Sequence, residues 1–374
     1  MEPSLLHTAS SVTERVLTIG GFFIFGGFFP VLANVILTDE FEWKYGLMLT
    51  FQKPWFITWG MLFGLTLFLV PLMVVTRCFS KETTLSWQLF RACAIPGLCN
   101  LFVTLLTVHA LAFLPPAIWK SIQIFGLIFT TLIKGGFGSR RSLLLDWTGL
   151  FIIFMGLLVS GTSALLQTQT LENHNPVAVL FSILLIIVAE LVKSGQGRIE
   201  EIMLHEYGAS TYAIIACEGV WGFFIATFVF MPFCSISDPS SGLIFYENTL
   251  GSIEMMTMSY RLPLLFAILV IVVTIYGYLG VLVIQETDAR NKSTYDAVMP
   301  FVVWLFGVFS RWITKNSKVG ESFDKYSLYI IIGFIISFCG TLIYFGGIKL
   351  PWITYLKDTD TIIAEEDDEY PIHP

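Results

Sequence analysis

Charged side chains are scarce in this chain. Asp, Glu, Lys and Arg make up 13% of its 374 residues, about half the share found in soluble domains. That shortage excludes an ordinary soluble globular chain. The 55% hydrophobic content and mean hydropathy of +0.75 point instead to a polytopic membrane protein. Cysteine is sparse as well: Cys78, Cys93, Cys99, Cys217, Cys234 and Cys339 are scattered among apolar runs and loops, which excludes a disulfide framework. No HExxH, P-loop or Gly-x-Ser-x-Gly occurs, so neither enzymatic activity nor a metal or other cofactor is expected. Asp358-Thr359-Asp360 imitates the Asp-x-Asp of metal-dependent glycosyltransferases, but it lies in an acidic tail with no apolar face to bury. A basic leader is missing too. The first fifteen residues carry Glu2, Glu14 and Arg15 and run into an apolar stretch of full span length, so no cleavable signal is expected.

What is present is a series of apolar runs, each long enough for a bilayer core. Ten are expected to be membrane-spanning helices: Val16–Leu37, Trp55–Thr76, Ala92–Phe113, Leu114–Ile133, Trp147–Leu166, Val177–Gln196, Thr211–Met231, Leu262–Ile284, Thr294–Ile313 and Tyr326–Gly347. Pro115 and Pro116 open the fourth, where a first-turn proline costs little. Ile253–Tyr260, in the longest loop, is expected to lie in the interface. Counting Lys and Arg in the loops gives 13 on the N-terminal side against 7 on the other, which predicts both termini in the cytosol. On that topology the sequon at Asn291 stays unused.

The run after Arg140-Arg141 carries Gly149 and Gly156. The run after the later basic loop carries Gly333 and Gly340 at the same spacing of seven. Such pairs lie on one helix face and let another backbone approach closely. They mark spans 5 and 10 as the last members of two five-helix halves, which an odd count per half would invert. The chain then divides into a cytosolic N-terminus (1–15), a first half (16–171), a second half (172–348) and an acidic cytosolic tail (349–374).

Charges inside spans are the candidate functional groups, because each costs about 2.5–3.5 kcal/mol at a helix centre. Lys120 lies about 6 Å past Pro116, where the helix of span 4 opens, at ~1.5 Å per residue. It either snorkels to the nearer surface or faces a solute cavity with Gln123 almost a turn below. Glu218 interrupts span 7 about 10 Å from its cytosolic end. It is either a structural carboxylate or a cavity group that binds a cation or proton. Glu190 sits three residues before Lys193, the spacing of a local ion pair; its rival role is to share a proton with Glu218. His109 comes at the depth of Lys120 in the hairpin of spans 3 and 4, as a core histidine or a solute contact. Asn100 and Asn34 are each able to bridge helices or reach a solute. Lys120 and Glu218 come out ~14 Å apart in a core of about 30 Å, as two stations rather than a pair.

The ordered set FQKPW (51–55), PGLCN (96–100), FGSRR (137–141), Glu200-Glu201, EGVWGFF (218–224) and GFIISFCGTLIY (333–344) resembles the drug/metabolite transporter superfamily. Specifically, it resembles the solute carrier 35 family and its F branch, from about Phe51 to Gly347. The resemblance implies an all-α integral membrane fold of ten helices in two inverted five-helix repeats. Spans 1–4 and 6–9 would surround a central cavity, with 5 and 10 supporting the outside. It also implies an EamA-like carrier of nucleotide sugars or other organic solutes in a Golgi, ER or endolysosomal membrane. By spacing, the family's fourth helix tends to carry Gln and then Arg where this chain has Lys120 and Gln123. A Gln of its sixth helix corresponds to Glu190. The polar positions are kept while the charges are rearranged.

The expected function is secondary-active transport of a small polar or anionic metabolite by alternating access. Lys120, Gln123, His109, Asn100 and Asn34 are the expected solute contacts, with Glu218 and Glu190 as coupling or selectivity groups. The alternative is a non-transporting scaffold or sorting receptor, which has no need of charges within its spans. A lipid-linked glycosyltransferase would need a large lumenal domain, and the loop between Met231 and Arg261 is too short for one. Expected partners are the solute, the bilayer, a second copy of the chain, and sorting adaptors reading the tail, where Asp358 begins a D-x-x-x-Ile-Ile pattern. Nucleic acid is not among them.

Overall fold

The computed structural model describes residues 3–42, 48–69, 87–135, 144–169, 176–237, 246–314, 320, 323 and 327–344. Cys78, Arg140-Arg141, the 315–319 part of the later basic loop, and the tail with Asp358 lie outside the described residues.

The first half contributes α1 (Pro3–Thr38), α2 (Pro54–Thr66), α3 (Trp87–Ala92), α4 (Ala94–Leu111), α5 (Pro116–Ile122), α6 (Phe125–Gly135) and α7 (Leu144–Gln169). The second contributes α8 (Pro176–His205), α9 (Thr211–Ile225), α10 (Met231–Ile236), α11 (Thr249–Met258), α12 (Arg261–Glu286), α13 (Ala289–Thr314) and α14 (Ser327–Tyr344). A small antiparallel hairpin, β1 (Glu40–Glu42) with β2 (Met48–Thr50), pairs Phe41 with Leu49. Eight helical stretches among the described residues are long and apolar enough to cross a membrane. Thr148–Ser160 within α7 is a shorter apolar piece. The protein is a helical integral membrane protein.

Several elements differ from the sequence expectation, each for a local reason. Span 4 is not one helix. From Lys120 to Leu127 the backbone tightens to i→i+3 bonds, Gln123 N to Lys120 O at 3.2 Å and Gly126 N to Gln123 O at 3.0 Å, which separates α5 from α6. Span 7 passes through a π-helical turn, Ala226–Phe230, before α10. Pro232 lacks the N–H that would continue a regular ladder, and the wider turn absorbs the mismatch. Span 6 runs on to His205, nine residues past Gln196, and span 9 starts at Ala289 rather than Thr294. In both, polar residues that read as loop are helical. Most of the segment expected in the interface is helical, as part of α11, capped by Asn248, whose side chain accepts from Gly251 N at 2.9 Å.

The helices pack in matched pairs. α4 lies on α8 and α12 lies on α1; α6 lies on α8 and α13 lies on α1. α9 packs on both α2 and α4, and α12 also packs on α2. α5 and α6 both contact α13, and α7 is joined to α14 by the most extensive interface of all. The four glycines of spans 5 and 10 lie in that last interface. A Cβ built on Gly156 would stand 2.5 Å from Gly333 O, one on Gly333 2.5 Å from Gly156 O, and one on Gly340 2.7 Å from Ile153 N. One on Gly149 would stand 2.8 Å from the Tyr344 Cα. Only hydrogen side chains permit this backbone approach.

Candidate functional site

A buried cavity of about 160 Å³ lies among α1, α2, α4, α5, α8, α9, α12 and α13. Its charged lining comes from four helices. Lys120 is on α5, Glu218 on α9 and Lys292 on α13, while α8 presents Glu190, Lys193, Gln196 and Glu200. Those four recur every three to four residues, so they form one polar stripe along the helix. Asp296, one turn beyond Lys292, closes a contiguous smaller chamber with Gln123, Glu190, Lys193 and Lys292.

Lys120 does not snorkel. It is 1% exposed, and its ammonium meets Asp296 Oδ1 at 2.9 Å, Gln123 Oε1 at 2.9 Å and the Tyr276 hydroxyl at 3.4 Å. The i→i+3 winding after Lys120 puts the Gln123 amide beside the lysine that precedes it. Tyr276 donates its own proton to Asp296 Oδ1 at 3.1 Å. Asp296 Oδ2 accepts from Lys193 at 3.1 Å, and Lys193 also reaches Glu190 Oε1 at 3.6 Å. One carboxylate thus links α5, α8, α12 and α13. Burying ions is costly unless they are paired and hydrogen-bonded, and Asp296 supplies the pairing for two cations.

Glu218 lines the same cavity from α9. Gly219 lets α9 press on α2, since a Cβ there would stand 2.7 Å from the Leu65 carbonyl carbon. The Gln196 amide donates to Glu200 Oε1 at 2.7 Å and to Glu218 Oε2 at 3.5 Å. Glu200 Oε2 and Glu218 Oε1 are buried without a hydrogen-bond partner among the described residues. Lys120 and Glu218, expected as separate stations, line a single cavity without contacting each other.

The remaining expected residues divide. Asn100 lines the cavity and accepts from Thr104 Oγ1 at 3.2 Å. Asn34 and His109 stand away from it. Asn34 Nδ2 donates to Leu111 O at 3.2 Å, tying α1 to the end of α4. The His109 ring is buried between Phe113 and Phe181, with centroids at 5.5 and 6.5 Å, and its Nδ1 is unpartnered among the described residues. Gly149, Gly156, Gly333 and Gly340 are outside the lining. Asp296, Lys292, Tyr276 and Gln196 were missed by reasoning from sequence. The readable signal was the three-to-four-residue recurrence from Glu190 to Glu200, and the one-turn spacing of Lys292 and Asp296.

No family model matches the chain. It is 26% identical over 258 residues to solute carrier family 35 member F6 of Pongo abelii, covering 67% of this chain and 65% of that protein's length. It is 25% identical over 281 residues to the Homo sapiens protein of the same name, covering 73% and 71%. An uncharacterised protein of Schizosaccharomyces pombe is 20% identical over 267 residues, covering 69% and 75%. A solved crystal structure superposes with a TM-score of 0.51 at 11% identity over 89% of this chain and 97% of that one, a likeness of fold alone. By these matches the chain is a homologue of the solute carrier 35 family.

Proposed function

We propose that the protein is a secondary transporter that moves a small polar solute through this cavity by alternating access. The observation that carries the reading is the buried lining itself. Lys120, Lys193, Lys292, Glu190, Glu200 and Glu218 line one space inside the helical bundle, and Asp296 lines the smaller chamber beside it. Charges at membrane depth are expensive, and a scaffold or sorting receptor gains nothing from gathering seven of them around these two spaces.

The packing supports two inverted five-span halves, residues 16–171 and 172–348. Exchanging each span with the one five places later turns the α4–α8 contact into α12–α1, and α6–α8 into α13–α1. Pairs α2–α9 and α7–α14 map onto themselves. Such an exchange is the symmetry that lets one half rock against the other around a fixed site. In the observed state the space is smaller than the roughly 300–1,000 Å³ of drug-sized ligand pockets, so a nucleotide sugar would require a wider state. The compact lining favours a smaller solute. Cytosolic termini complete the reading, because the loop charge count favours that side even without the cavity-lining Lys193 and Lys292, and the endomembrane location is what the family resemblance implies.

The test is a metabolite screen with purified protein in liposomes. A solute accumulated by protein-containing vesicles, and not by empty ones, is the expected result. Failure of every polar metabolite class to enter or exchange overturns the reading.

A further inference from the structure

The charges of the cavity do not cancel. Asp296 answers Lys120 and Lys193, and Lys193 also reaches Glu190. Glu200 and Glu218 are left with a neutral amide between them, that of Gln196. Both are 2% exposed, both line the cavity, and each has an oxygen without a hydrogen-bond partner among the described residues. Lys292 is the one lining cation whose side chain makes no ion pair or hydrogen bond among the described residues, a single charge set against two carboxylates. In a poorly polarisable interior this excess of negative charge acts strongly on whatever enters.

Four aromatic rings share the wall with aliphatic side chains such as Met61, Leu62, Leu65 and Val273. Tyr276 stacks on Phe22 and Phe29 with centroids at 5.1 and 5.8 Å, and Trp119 meets Phe29 edge-on at 5.7 Å. All four line the cavity. Ring faces attract cations and pack flat apolar groups. Carboxylates and rings lining one small space suit an amine with a compact apolar body.

We infer that the solute is a cationic amine, its N–H groups donated to Glu218 and Glu200 and its body held against Tyr276 and Phe29. The inference rests on the transport reading above and narrows its substrate class. The expectation of an anionic solute required a free Lys120, and Asp296 takes that ammonium.

Phenethylamine, 2-phenylethanol and phenylacetate share a ring and chain and differ in the charge of one end. The purified full-length protein is titrated with each, reading the unfolding midpoint and tryptophan fluorescence. The amine raises the midpoint; the alcohol and the acid do not. Glu218→Gln and Glu200→Gln each weaken amine binding by roughly tenfold or more, the loss expected for a charged hydrogen bond. Lys292→Met tightens it, a change of opposite sign that a purely structural role does not produce. The wild-type comparison of the three probes decides the question even where a variant fails to fold. Preference for phenylacetate, abolished by Lys292→Met, overturns the cationic assignment and leaves the cavity as a solute site. Equal response to all three, or none to the amine, overturns it as well. Amine binding without uptake in liposomes overturns the transport reading and preserves the site.

Discussion

The Lys120 ammonium and the Asp296 carboxylate meet at 2.9 Å, with both side chains almost wholly buried. Removing one partner of such a pair strands the other in a medium that solvates it poorly, at a cost of about 3–5 kcal/mol. Asp296→Asn is expected to be the more damaging change, because it strands Lys120 and Lys193 together. Lys120→Met leaves Asp296 with Lys193 and loses less. The double variant Lys120→Met/Asp296→Asn is expected to be more stable than Asp296→Asn alone. Thermal unfolding of the purified proteins measures this order, and equal midpoints for the two single variants would contradict it.

The α7–α14 interface gives a second expectation. Gly156→Ala or Gly333→Ala drives a methyl group toward a backbone carbonyl of the facing helix. Overpacking of this kind costs about 1–3 kcal/mol or more. Gly20→Ala on α1 meets nothing within 4 Å and is expected to gain roughly 0.5–1 kcal/mol from helix propensity. Folded yield and unfolding midpoint of the three variants check the contrast. Tolerance of both interface alanines would mean that the helices are not in backbone contact.

Most of the bundle was legible in the sequence because a bilayer requires long apolar runs, and Lys120, Gln123, Asn100, Glu190 and Glu218 stood out as polar exceptions within them. The misses share one cause. At the end of span 6, Gln196 and Glu200 follow a glycine-rich polar stretch that reads as loop, yet it is helical because those residues face the cavity rather than lipid. Asp296 was hidden in the same way, near the start of a span whose polar first turns resemble a loop. His109 and Asn34 show the converse. A polar residue in a span need not touch a solute, since one inter-helix hydrogen bond accounts for Asn34. Ion pairing between distant spans leaves no local pattern, so the partner of Lys120 was not readable.

Outside the spans, Glu247 offers a pH test. Its side chain is buried, with Ser252 Oγ donating to it at 2.7 Å. Burial raises its pKa above the ordinary 4.5, against smaller opposing effects from the Ser252 hydrogen bond and from Lys53. A group that binds its proton more tightly when folded stabilises the fold below its unfolded pKa, and that contribution fades as pH rises through the folded value. Wild-type protein is therefore expected to lose stability as pH rises from about that ordinary value, and Glu247→Gln to lose less over the same window. Unfolding midpoints across pH measure it. Parallel profiles for the two proteins would mean that Glu247 is not held in a buried site.

The central claim is that a solute passes through the space between Lys120 and Glu218, and blocking that space tests it most directly. Thr104 lines the cavity, and its hydroxyl bonds to Asn100 on the same helix, so no inter-helix hydrogen bond depends on it. Thr104→Trp fills the cavity without changing any charge. The measurement is liposome counterflow of a solute identified by the metabolite screen, comparing wild-type and Thr104→Trp protein with matched unfolding midpoints. The account predicts that exchange is abolished in the variant, and exchange at the wild-type rate would contradict it.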